Sequence, residues 1–284
     1  MFKKEKFEEF IYNIKYMLKN LRKVLTLKRI LIIFGVLVIV AGGAVFLKLM
    51  NRAKPEDSPL YSKSELNIGI VTGTAFATSE EGSISGFERE LIEKIVSDLF
   101  PEPEVRIVEV LSQEASYKLR TGEIDIAIGM FTSGPVKTQG LSLSTPYFTD
   151  TIYAYVPKHG KYEDLFSLTN KRVRVLSSDI TKNSVNSMFK KLGVTVDLHL
   201  CSSFDEGIES LIREDCVAIV APKNMVPDDI GLKNIDEPVG QVSYRIMIWK
   251  DNSATLEVLN REIEALKSSG FIDELCEKYR ISAS

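Results

Sequence analysis

The 284-residue chain has two histidines, His159 and His199, three widely separated cysteines, and one tryptophan. That leaves little for a zinc site or a His-centred catalytic triad. No glycine-rich phosphate loop, metal-spaced cluster or nucleophile elbow is present, so no cofactor is implied. Cys201 follows one expected strand and Cys216 precedes the next parallel one, which places them at opposite sheet ends and argues against a disulfide. The charge balance of 36 Lys and Arg against 39 Asp and Glu hides an asymmetry. Residues 1–29 hold nine basic and three acidic side chains, a net +6, which leaves the other 255 residues at −9. An acidic body lacks the basic face that nucleic-acid binding requires.

What the chain has is a long apolar run. Ile30 to Leu47, ILIIFGVLVIVAGGAVFL, is 18 residues without a charge, flanked by Lys28, Arg29 and Lys48. As a helix it is about 27 Å long, enough to cross a bilayer, and it has no polar face of the kind a core helix keeps. The basic excess before it orients the N-terminus to the cytoplasm and the remainder outside. Ala41 to Ala44 are small enough for a signal-peptidase site, but the charged segment before the run is long for a signal peptide, which favours a retained single-pass anchor. No cysteine lies near the end of the run to carry a lipid. In residues 2–29 the apolar positions Phe2, Phe7, Phe10, Ile11, Ile14, Met17, Leu18 and Leu21 recur mostly at steps of three and four. They describe an amphipathic helix for an anionic membrane surface or for a partner protein.

Residues 51–60 are polar and read as a tether. From residue 61 onward, strands are expected at Leu66–Val71, Val105–Val110, Ile124–Ile128, Val173–Leu176, Val194–Leu200 and Val217–Ala221. Helical patterns lie between them at Gly86–Leu99, Gln113–Arg120, Thr181–Leu192 and Asp205–Arg213. Strands alternating with helices give an α/β architecture of parallel sheets covered on both faces. The alternation occurs twice, separated by Asp150 to Val156 and the loop Pro157 to Gly160, so two lobes are expected. A later strand, Val242–Trp249, and a terminal helical region, Ala254–Tyr279, return to the first lobe. This gives one lobe of residues 61–155 plus 245–284 and another of 156–244, joined by a hinge of two crossing strands over a cleft.

The segment Leu119 to Tyr147, LRTGEIDIAIGMFTSGPVKTQGLSLSTPY, resembles the central signature of family 3 extracellular solute-binding proteins, with Gly122, Asp125, Thr132, Pro135, Ser144, Pro146 and Tyr147 in register. Ser85 to Leu91 is similar to the family's Gly-Phe-Asp helix start, Ala75 and Phe76 to its Pro-Phe after the first strand, Leu168 to Val175 to the opening of its second lobe, and Gly270 to Tyr279 to its terminal helix. The resemblance implies a two-lobed periplasmic-binding-protein-like type II fold, which the transmembrane helix read from the apolar run precedes. It also implies a small polar, amino-acid-like solute and an ABC transporter permease as partner, and no enzymatic activity. Two other readings keep the fold, a ligand-sensing or scaffold module with a degenerate pocket, and an enzyme of the cyclohexadienyl dehydratase kind, for which no acid-base pair is apparent.

The same resemblance points to ligand-binding residues and to departures from the pattern. Thr132 matches a family position beyond a strand end. Lys137 stands where the family has the Arg that grips the ligand carboxylate, so a bidentate fork becomes a point charge, or else it is a solvated loop lysine. Pro222 stands where the acid for the ligand ammonium should be, and an unpaired buried ammonium costs several kcal/mol. Ser178 and Asp179 replace the Gly-Thr that opens a helix toward the ligand. Asp179 is the compensating acid or a helix cap. Phe76 is a candidate aromatic wall, whereas Phe87, opening a helix, belongs to the core.

Overall fold

The computed structural model describes residues 8, 10–17, 32–34, 36–38, 40, 52–133, 140–176, 182–228 and 230–282. The chain divides into two compact units, Met1–Arg52 and Ala53–Ser284. In the first, residues 10–17 are helical, with the rings of Tyr12 and Tyr16 stacked 6.5 Å apart. The expected span at 30–47 is described only at 32–34, 36–38 and 40, which are helical and exposed. Among the described residues no helix is long and apolar enough to cross a membrane.

The second unit is an α/β domain. Its first strands are β1 (Glu65–Ile70), a short hairpin of β2 (Thr78–Glu80) and β3 (Ser83–Ser85), β4 (Glu104–Glu109) and β5 (Ile126–Phe131), interleaved with helices α1 (Phe87–Leu99) and α2 (Ser112–Thr121). There follow β6 (Leu141–Pro157), β7 (Arg172–Leu176), α3 (Lys182–Lys191), β8 (Asp197–Cys201), α4 (Phe204–Ile212), β9 (Ala218–Pro222), β10 (Leu232–Asn234) and β11 (Gly240–Trp249), and finally α5 (Ser253–Ser268) and α6 (Phe271–Tyr279). The strand order is β4-β1-β5-β11-β6-β9-β7-β8, with β10 beside β6. The two ends of that path are parallel, β4-β1-β5 and β9-β7-β8, while the central β11 and β6 are antiparallel to their neighbours.

Those two central strands join the lobes. At about 3.3 Å per residue, the 17 residues of β6 are long enough to serve both halves. Residues Leu141 to Ile152 pair with β11, and Ile152 to Tyr155 pair with β9. Strand β11 in turn pairs with β5 at Arg245 to Ile248 and with Asp150 to Ile152 at its start. The chain therefore crosses between halves at residues 150–152 and 240–242, and the expected lobe limits at 155/156 and 244/245 fall within these same two strands.

Sequence explains the elements. In β5 all six residues are buried, as a strand covered on both faces should be. Helix α1 buries Phe87, Leu91, Ile92, Ile95, Val96 and Leu99, spaced at three and four. It can start only at a glycine, because Gly86 has φ 124° and a Cβ there would meet the Phe76 carbonyl oxygen at 2.6 Å. Helix α5 packs on α1 and β6, and α6 packs on α1 and α5, so the C-terminal helices cover the first sheet segment. Residues 53–60, expected to be part of a free tether, lie on α5. Ser58 and Leu60 are buried, and the Ser58 hydroxyl is bonded to Thr255 Oγ1 at 2.6 Å.

Candidate functional site

In α/β folds, loops at the carboxyl ends of parallel strands build the ligand crevice. Beyond β1, Thr74 fixes the loop. Its hydroxyl oxygen accepts from the amides of Phe76 and Ala77, each at 3.1 Å, and its own amide donates to the Ala77 carbonyl at 3.1 Å. Phe76 is fully buried, with ring centroids 5.6, 5.1 and 5.4 Å from Phe87, Phe148 and Tyr244. This corrects the expectation that Phe76 forms an aromatic pocket wall. Edge-to-face packing with three rings from distant segments places it in the core, where Phe87 also lies.

At the end of β5 the backbone turns sharply. Met130 has φ 60°, a left-handed conformation that a side chain seldom adopts. Its amide donates to Glu88 Oε1 at 2.9 Å and to the Tyr147 hydroxyl oxygen at 3.1 Å, while that hydroxyl donates to Glu88 Oε1. Glu88 is fully buried in the first turn of α1. Burial raises its carboxyl to about 7, against the lowering effect of the bonds from Tyr147 and Met130. The Tyr147 hydroxyl is likewise raised, by burial and by the adjacent carboxylate. This buried clamp fixes the exit of β5, and Thr132, half-buried, is two residues further on.

Across from the β1 loop, the second lobe supplies the end of β7 and two loops. Together they enclose a cavity of about 660 Å³, with Gly73, Thr74 and Ala75 on one side and Leu176, residues 202–205 and residues 224–227 on the other. At the start of α4, Ser203 accepts from the Glu206 amide at 3.2 Å, and both the amide and the hydroxyl of Ser202 donate to Glu206 Oε2 at 2.7 Å. Those two bonds hold the Glu206 carboxyl below its ordinary range.

Asn224 connects the cavity wall to the crossing strands. Its amide N–H donates to Asp150 Oδ2 at 3.2 Å, its side-chain Nδ2 donates to the Ser282 carbonyl at 3.1 Å, and the Ser282 amide donates to Asn224 Oδ1 at 2.7 Å. Asp150 lies in the crossing, opposite Val242 on β11, and is buried. Burial raises its carboxyl to about 6, opposed by the bonds from Asn224.

Of the residues expected to bind ligand, Thr132 stands just past the end of β5 and is not among the residues that line this cavity. Lys137, Ser178 and Asp179 lie outside the described residues. Pro222 ends β9, buried and paired with Ile152, so this position carries no acid. Sequence reasoning missed Thr74, Asp205 and Asn224 as cavity residues. Their signal was position, since each lies within a few residues of the end of an assigned strand.

The model of the bacterial extracellular solute-binding proteins, family 3, matches residues 66–282. The chain is 25% identical over 217 residues to the amino-acid-binding protein AabA of Dichelobacter nodosus, covering 70% of this chain and 81% of that protein. It is 19% identical over 259 residues to a probable histidine-binding protein of Campylobacter jejuni, covering 86% and 96%. In structure it is similar to a mutant of the ArgBP from T. maritima, with a TM-score of 0.60 and 23% identity over 78% of this chain and 98% of that one. A family match spanning most of the chain, on a domain with two lobes and a cavity between them, means that this chain belongs to the bacterial extracellular solute-binding proteins, family 3.

Proposed function

We propose that the chain is a membrane-anchored extracellular receptor that closes its two lobes on an amino acid or related small polar solute and delivers it to an importer of the ATP-binding-cassette type. The cavity carries this reading. Its walls come from the β1 loop of one lobe and from a strand end and two loops of the other, so a solute touching both makes its full set of contacts only when the lobes approach, and binding shifts the population toward closure. The names of the curated relatives, which bind amino acids, support the solute class. In the same proposal the anionic group of the solute meets Thr132 and Lys137, and its cationic group meets Asp179, next to Ser178 in the chain.

Anchoring through residues 30–47 is part of the same proposal. Ile32, Ile33, Phe34, Val36, Leu37, Val38 and Val40 are all more than half exposed along a helical stretch, as lipid-facing side chains would be. Protease applied to intact cells should remove the domain and leave a fragment of roughly six kilodaltons, the size of an intact anchor and its cytoplasmic segment. A soluble mature protein beginning near residue 45 would refute the anchor. Thermal-shift titration of the full chain with the twenty amino acids tests the receptor reading. Binding adds RT ln(1 + [L]/Kd), about 2.7 kcal/mol at a hundredfold excess over Kd. No shift with any of them at millimolar concentration would refute the amino-acid assignment and favour the sensing or scaffold module instead.

A further inference from the structure

We infer that Asp205 selects the solute for a cationic side chain, an aliphatic stem ending in a guanidinium or ammonium group. This rests on the amino-acid reading above and deepens it. Among the described residues lining the cavity, Asp205 is the one charged side chain, and no cation lines it. Asp205 has no hydrogen-bond or ion-pair partner among the described residues, while Glu206, beside it in the same helical turn, is occupied by Ser202 and lies 3.8 Å from Arg174. The start of α4 is already capped by Ser203, so Asp205 is not needed to satisfy free amides there.

The rest of the wall fits the rest of such a ligand. Leu176, Phe204, Met225, Val226 and Pro227 present apolar surface, along which a chain of methylenes can lie while its charged tip stays hydrated at the rim, where Asp205 is exposed. Asn224 sets the far side, and its bonds to Asp150 and Ser282 hold it in place before ligand arrives. An acidic side chain would bring a second carboxylate against a wall whose charge is already negative, and a neutral amide would leave Asp205 without a counter-charge.

The test is isothermal titration of the full-length chain in detergent micelles with L-arginine, L-lysine, L-glutamine and L-glutamate, at low and high salt, for the wild type and Asp205→Asn. Arginine or lysine should bind at least tenfold tighter than glutamine, with glutamate weakest, and salt should weaken the cationic ligands more than glutamine. Asp205→Asn should weaken arginine and lysine by roughly three- to tenfold, bind glutamine no more weakly than wild type and remove most of that extra salt dependence. A preference for glutamine or glutamate, or equal arginine affinity in Asp205→Asn, overturns the assignment of Asp205 while leaving the amino-acid reading intact. Binding of none of the four overturns the assignment too, and the twenty-amino-acid screen then decides whether the broader reading falls with it.

Discussion

Replacing Glu88 by Gln should change how stability depends on pH. Glu88 is fully buried, and burial raises its carboxyl from 4.5 to about 7. Below pH 4.5 the group is protonated in both the folded and the unfolded chain and makes no difference. Between 4.5 and 7 the unfolded chain has released its proton and the folded chain has not, so stability falls as pH rises. Above pH 7 the deficit is complete, at 1.36 kcal/mol per pKa unit about 3 kcal/mol. The groups facing the carboxylate are the Tyr147 hydroxyl, itself shifted upward and out of this window, and the Met130 amide. Neither titrates across it.

Gln reproduces the protonated state. Its Oε1 can accept from both Tyr147 and Met130, and its Nε2 takes the place of Glu88 Oε2, a buried atom that already has no partner. The stability difference between Glu88→Gln and wild type should therefore grow by about 3 kcal/mol in favour of Gln from pH 4 to pH 8, read as urea midpoints across that range. Other titrating groups, Asp150 included, are common to both proteins and cancel. Parallel pH profiles for the two would show that Glu88 is ionised in the fold. Glu88→Ala should behave differently again. With no acceptor left on α1, the left-handed Met130 loses part of its support, and solute affinity should drop together with stability.

Gly86→Ala should destabilise the domain by about 1–3 kcal/mol in thermal unfolding, because φ 124° and a 2.6 Å approach to the Phe76 carbonyl leave no room for a methyl group; wild-type stability would mean that α1 can shift freely. Asn224→Ala removes both side-chain bonds to Ser282 and should cost about 1–2 kcal/mol, with faster amide exchange at Ser282 as the direct readout and unchanged exchange as the contrary result. Asp150→Asn should flatten the fall in stability between pH 3.8 and about 6, since burial raises this carboxyl and the folded chain holds the proton longer than the unfolded one; an unchanged slope over that interval would show that Asp150 is ionised in the fold.

Much of the fold was legible because parallel strands buried on both faces carry a strong signal. The apolar runs at Leu66, Ile124, Val173 and Val217 all overlap strands, with ends that agree to within three residues. Strand β6 was read only from Asp150 onward, since its first half, LSLSTPYFTD, mixes serine, threonine and a proline and shows no clean alternation. The hairpin β2–β3 is short, with Ile84 its one buried residue, so there was no pattern to find. The terminal helical region breaks in two at Gly270, whose φ of 82° ends one helix and begins the next, a site the sequence marks with a glycine in a polar stretch.

The site was less legible, for a reason that Phe76 makes plain. An aromatic residue just after the first strand has the same local sequence whether its ring faces a ligand or the core. What decides is the close approach of Gly86 and the rings of Phe87, Phe148 and Tyr244, contributed by segments 11, 72 and 168 residues away in the chain. Strand ends alone would have narrowed the search, because residues 73–75, 202–205 and 224–227 follow strands β1, β8 and β9 and residue 176 ends β7, all at carboxyl ends. Within each loop, however, the inward-facing residue is set by bonding. Ser202 and Ser203 engage Glu206 and leave Asp205 unpaired, while Asp150 and Ser282 hold Asn224 against the cavity. The charge presented to a solute is thus decided by which carboxylates the protein has already occupied, and that selection depends on contacts between residues up to 74 apart in the chain.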